Sequence, residues 1–90
     1  MARARKNNET VKVLSAYQFR SGDVGFALEY KGISLYRMTR KTGTDEEGEY
    51  FWFSFPAYKS NNDVYYKYYY IKFTPEEEEE INRQIEELLN

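Results

Sequence analysis

The sequence contains no cysteine and no histidine. Without cysteine there are no disulfides and no thiolate metal sites. The two absences together exclude Cys–His and Ser–His–Asp nucleophile systems, histidine-based acid–base chemistry, and His or Cys zinc sites. No apolar run approaches the roughly 20 residues that a membrane-spanning helix needs. Met1–Asn8 is basic and no apolar segment follows it, unlike a secretory leader. These absences predict a soluble, cytoplasmic protein that uses no cofactor or metal and does not contact a membrane. An enzyme is not expected, because no side chain has an evident means of being tuned toward neutral pH.

The chain is 90 residues long, which makes one domain near the lower end of what a single core stabilises unaided. Homodimerisation is the expected source of the remaining stability. The formal net charge of −2 hides an asymmetry. Residues 1–73 carry 12 Lys/Arg against 8 Asp/Glu, and residues 74–90 carry 1 Arg against 7 Glu. The larger part of the chain is therefore mildly basic and the last segment strongly acidic. Binding to a charged partner depends on where charge sits, so the bulk value does not exclude nucleic acid.

What the chain has in abundance is aromatic residues. Twelve fall between Glu49 and Phe73, most of them in the runs Glu49–Phe55 and Val64–Phe73. Side chains alternate across a strand, so such runs cannot hide every ring in one small core. If Phe51, Phe53 and Phe55 point inward, Tyr50 and Trp52 point out. If Tyr69, Ile71 and Phe73 point inward, then Tyr66, Tyr68, Tyr70 and Lys72 point out. The inward set is mostly Phe and Ile and the outward set mostly Tyr. This division predicts a sheet with a greasy inner face and a wettable aromatic outer face suited to stacking unpaired bases.

Residues 1–9 lack hydrophobic periodicity and read as a flexible basic arm, leaving 10–90 as the single folded domain. In Thr10–Phe19, Val11, Val13, Tyr17 and Phe19 stand at alternating positions with Lys12 and Gln18 opposite, which reads as a strand. Arg20–Asp23 is a turn, and Phe26, Leu28 and Tyr30 form one face of a second strand. Lys31-Gly32 fits a two-residue hairpin leading into Ile33–Arg40, whose pattern breaks near Leu35-Tyr36 and suggests a bulge. Lys41–Gly48 reads as a mobile polar loop. The strand Glu49–Phe55 stops at Pro56, and after the turn Lys59–Asp63 a last strand is expected over Val64–Phe73. Thr74, Pro75 and Glu77 stand in the order of an N-cap, a first helical residue and a capping-box partner. Glu76–Glu80 suit the helix N-terminus, and Ile81, Ile85 and Leu88 make one apolar stripe. The expected fold is α+β: a curved antiparallel β-meander of four to five strands, with one C-terminal amphipathic helix on its inner face.

The stretch Gly48–Lys59 contains Phe53-Ser54-Phe55-Pro56 followed by Lys59. A polar turn and the aromatic run Val64–Thr74 come next, ending in a phenylalanine and a helix. With the strand Ile33–Arg40, this pattern resembles the small bacterial, phage and mobile-element proteins related to the septation regulator SpoVG. More loosely it is similar to the compact sheet-plus-helix single-strand binders typified by the transcriptional coactivator p15. The resemblance implies DNA or RNA binding by the sheet surface and basic loops, commonly as a dimer. By resemblance alone, single-stranded DNA is favoured over RNA.

The candidate binding residues are an aromatic set and a basic set. Tyr50, Trp52, Tyr66, Tyr68 and Tyr70 would stack bases with little sequence preference. The alternative is a protein interface, where Tyr and Trp are also favoured, as in a phage-type inhibitor docking its aromatic sheet and acidic helix on a host protein. Arg37, Arg40, Lys41, Lys59, Lys67 and Lys72 flank the strands and would contact phosphates. Scattered strand lysines also serve as solvated guards against edge aggregation. The acidic run Asp45–Glu49 reads as a solvated hairpin loop.

Overall fold

Alternating apolar residues and short turns fold the first half of the chain into successive antiparallel strands. In a computed structural model describing residues 11–90, β1 (Val11–Gln18), β2 (Val24–Tyr30), β3 (Ile33–Asp45) and β4 (Gly48–Ser54) form one sheet in chain order. β5 (Ala57–Lys59) and β6 (Tyr65–Lys67) pair as a separate two-stranded ribbon, and α1 (Pro75–Leu89) follows. The α+β meander with a C-terminal helix is therefore present, and the sheet is open. The basic arm assigned to 1–9 lies outside the described residues.

Two expectations about strand extent are corrected. β3 continues through Lys41–Asp45, pairing Thr42 with Phe51 and Asp45 with Gly48, where a loose loop was expected. This end of the hairpin is largely solvated, so it needs no apolar alternation to hold its ladder. The second correction is that Val64–Phe73 is not one strand. Its partner is only three residues long, because Pro56 ends that ladder, and the Tyr68 N–H turns to donate to the Pro56 carbonyl at 2.9 Å. Residues 68–74 then run irregularly back to the helix.

The turns form as their residues predict. Lys31 and Gly32 both carry positive φ, 50° and 87°, which the two-residue hairpin between twisted strands demands. Two β-bulges shift the register. In β1 the pairing jumps from Val13–Leu28 to Ser15–Ala27, leaving Leu14 extra. One extra residue swaps the faces beyond it, so Val11 and Val13 are buried while Tyr17 and Phe19 sit outside. The regular alternation expected of the four is split by the bulge for this reason. In β3 the jump from Met38–Phe26 to Leu35–Leu28 leaves Tyr36 and Arg37 opposite Ala27, at the place where the pattern breaks in the sequence.

The core lies between the inner face of the sheet and α1. Phe26, Leu28, Met38, Phe55, Phe73, Ile81 and Ile85 form its centre, with Phe53, Tyr69 and Ile71 packed against it. The inward assignments of Phe53, Phe55, Ile71 and Phe73 therefore hold, while Phe51 is half-buried and lies outside this core. Leu88 does not complete the helical stripe; it is 50% exposed, and Leu89 packs on the core instead. The buried line thus steps i, i+4, i+8 and drifts round the helix, away from the straight stripe that the final i+7 step predicts.

Polar ties fix the helix along its length. Thr74 accepts from Glu77 N–H at 3.1 Å, and Glu77 reaches back to Thr74 N–H at 3.0 Å, closing the capping box. The Tyr30 hydroxyl donates to the same Glu77 carboxylate. Gln84 accepts from Val13 N–H at 2.7 Å and donates to the Val11 carbonyl, so a side-chain amide does for the β1 edge what a further strand would do. No helix among the described residues is long and apolar enough to cross a membrane.

Candidate functional site

Tyr50 and Trp52 are two apart on β4, and so share its outer face. Their rings stack 5.6 Å apart at an interplanar angle of 25°, and they remain 48% and 44% exposed. Strand register places each beside a specific neighbour on β3: Trp52 faces Lys41 and Tyr50 faces Gly43. A Cβ on Gly43 would come within 2.7 Å of the Tyr50 ring, so the absence of a side chain there lets this ring lie down on the sheet. The same device recurs across β1 and β2. A Cβ on Gly25 would lie 2.9 Å from the Phe19 ring and 3.1 Å from Tyr17. The outer face thus carries exposed rings seated over glycines, Tyr50 stacked on Trp52 and Tyr17 edge-on to Phe19 at 90°.

The tyrosines of the second run are held elsewhere. Tyr58 pairs across the ribbon with Tyr66, ring centroids 5.7 Å apart, and lies 5.2 Å from Tyr68. Tyr70 instead packs against Phe55 and receives the Lys67 ammonium 4.8 Å from its ring centroid. The single row expected of Tyr50, Trp52, Tyr66, Tyr68 and Tyr70 is therefore divided. The first two belong to the four-stranded sheet, Tyr66 to the ribbon, and Tyr68 and Tyr70 to the segment after it.

The basic candidates also separate. Arg40 is 6% exposed on the inner face, where its guanidinium donates to Asn82 at 2.7 Å and Glu86 at 2.6 Å on α1. It is committed to the helix and is not available as a phosphate contact, so it leaves the candidate set. Lys59 is occupied within its own turn by Asp63 at 3.3 Å, and Lys41 lies 3.8 Å from Asp23. Arg37, Lys67 and Lys72 are exposed and form no ion pair among the described residues.

Sequence reasoning passed over Tyr17, Phe19, Tyr36 and Tyr58, all exposed aromatics of the same surface system. Only a bulge in β1 could have revealed the first two. Two open grooves of about 360 Å³ each indent this surface. One is bounded by Tyr17, Phe19 and Tyr36 over Gly25 and Ala27, the other by Leu35, Pro56, Tyr68 and Tyr69. The Tyr69 hydroxyl donates to the Tyr36 carbonyl at 2.7 Å. Burial raises the Tyr69 phenol above its ordinary pKa, while the nearby Arg37 charge acts against this.

The arrangement offers exposed aromatic rings and exposed cations. The acidic helix packs on the inner face of the sheet, with Glu86 and Tyr50 lining one groove at its side. Compared with family models, curated proteins and solved structures, the chain matches none.

Proposed function

We propose that this protein binds single-stranded nucleic acid with little sequence preference, its exposed rings stacking bases and its free cations tracking phosphates. The observation that carries the reading is the Tyr50–Trp52 pair, held flat and half-exposed beside Lys41. Every base has a π-face, so such a platform contributes about 1–3 kcal/mol per base without reading its edges. The packing of the acidic helix on the inner face of the sheet lessens the repulsion that the net charge would otherwise imply. The resemblance to SpoVG-related and coactivator p15-like proteins supports DNA over RNA, a cytoplasmic setting and a phage or mobile-element origin.

Single-stranded oligonucleotides should bind more tightly than duplexes of equal length, because the bases of a duplex are already stacked on one another. Fluorescence anisotropy at two salt concentrations measures this, with quenching of Trp52 as an internal reporter. Equal or stronger duplex binding would leave only general electrostatics and sink the proposal.

The protein should also be a homodimer at micromolar concentration. Among the described residues β4 pairs only with β3, which leaves its other edge an open row of backbone donors and acceptors, flanked by exposed rings. Sedimentation showing a monomer would refute the dimer. The same open edge favours the second reading, a protein-docking module. That reading moves ahead if no oligonucleotide binds.

A further inference from the structure

The β3 bulge has a feature that the sheet itself does not require. Arg37 carries a φ of +66°, a conformation that non-glycine residues seldom adopt and that needs support from its surroundings. The support is visible: the Tyr69 hydroxyl holds the carbonyl of the preceding residue, Tyr36, at 2.7 Å. Bulges re-aim side chains, and this one sets an exposed guanidinium between two aromatic grooves. Tyr36 and Arg37 line both of them. Arg37 has no acidic partner among the described residues, so its charge is free.

We propose that the Tyr36–Arg37 bulge seats one phosphodiester of a bound single strand, with Arg37 holding the phosphate while the flanking bases enter the grooves walled by Tyr17 and by Tyr68. The proposal rests on the single-strand reading above and assigns its central contact. A planar guanidinium matches two phosphate oxygens with parallel hydrogen bonds, which makes arginine the suitable residue at a fixed anchor. The first groove is bounded by Tyr17 and Phe19, whose rings lie over Gly25, and the second by Tyr68 and Tyr69 beside Pro56. Flat bases of any identity fit such walls, while a duplex has no free base to insert. The negative phosphate is also the complement of the Arg37 charge, which has no acidic partner among the described residues.

The test uses the full chain and a labelled deoxythymidine oligonucleotide of about ten nucleotides, within the range that one small sheet domain covers. Arg37→Gly suits the positive φ and removes the charge, so its melting temperature should equal or exceed that of the unmodified protein. Its affinity should fall at least several-fold, and the slope of log affinity against log salt should become shallower by about 0.7, the value for one lost phosphate contact on a single strand. Arg37→Asn, also tolerant of positive φ, provides a second folded variant with the same expected loss. Tyr17→Ala and Tyr68→Ala should each weaken binding by roughly 5- to 140-fold. If the unmodified protein binds and Arg37→Gly binds equally well with the same salt slope, the anchor is wrong while the single-strand reading survives. If Arg37→Gly loses affinity but Tyr17→Ala or Tyr68→Ala does not, the two-groove path is overturned. If the unmodified protein binds no single strand, the broader reading falls and takes this assignment with it.

Discussion

Glu86→Ala should destabilise the protein by about 2–4 kcal/mol, whereas Arg40→Met should stay within about 1 kcal/mol of the unmodified protein or exceed it. The Arg40 side chain is 7% exposed and its guanidinium meets Glu86 at 2.6 Å, while the Glu86 side chain is 52% exposed. Removing the carboxylate strands a charge inside, with Asn82 as its remaining partner. The half-exposed carboxylate places the expected cost toward the lower part of the range for a broken buried pair. Removing the arginine instead releases the carboxylate to water and eliminates Arg40 Nε, a buried donor without a partner among the described residues. Methionine keeps the apolar stem that packs beneath the helix. Against a total stability of about 5–13 kcal/mol for a domain this size, the Glu86 loss is large. Urea denaturation of both single variants and the double variant measures the coupling, and the double variant should resemble Arg40→Met. A larger loss for Arg40→Met than for Glu86→Ala would show that the ion pair is a net source of stability. Arg40→Met should also leave oligonucleotide affinity unchanged, because this guanidinium faces the helix.

Arg40 illustrates what a sequence does and does not disclose. Its neighbours Arg37 and Lys41 are at the surface, and by charge alone all three look alike. What separates them is phase: Arg40 lies two residues after the buried Met38 and pairs with the buried Val24, so it points inward. The bulge at Tyr36–Arg37 sets that phase, and the broken alternation near Leu35-Tyr36 did mark it. The Leu14 bulge left no comparable trace, since Tyr17 and Phe19 continue a plausible inward pattern. Their true position follows only from pairing with β2. Local chemistry was the most legible part. The Lys31-Gly32 hairpin and the Thr74-Pro75-Glu77 helix start are set by residues within a few positions of one another. The aromatic run Val64–Phe73 was harder, because strand propensity says nothing about the length of the partner strand. The alternation still identified its inward residues, Tyr69, Ile71 and Phe73, because an extended chain alternates with or without a ladder.

These differences change the shape of the proposed interface more than its chemistry. A single aromatic row along two neighbouring strands would have led a nucleic-acid strand in one direction across one sheet. The structure instead provides a flat platform on β4, a second on the ribbon, and the bulge with its two grooves. Several short stacking stations, each with its own cation, suit a flexible strand that bends between them. Lys41 attends the first station and Lys67 sits over the Tyr70 ring near the second. A rigid duplex could not follow such a course.

Trp52→Ala removes the larger ring of the β4 platform. Loss of one stacking platform should weaken single-strand affinity by about 1–3 kcal/mol, and by similar amounts for oligonucleotides of different base sequence. The fold should survive, since the ring is 44% exposed and its stacking partner, Tyr50, is itself on the surface. The loss of that aromatic pair should cost about 0.5–1.5 kcal/mol of stability. Lys41→Ala gives the contrasting signature: a modest loss of affinity with a shallower salt dependence, because one fewer counterion is released on binding. Anisotropy titrations across a salt series, run beside thermal melts and sedimentation of each variant, separate these effects. A Trp52→Ala protein that unfolds, or that splits from dimer to monomer while each folded subunit binds as before, would place the tryptophan in a structural contact. The rings of β4 would then be an interface between proteins, and the docking reading would replace the stacking one.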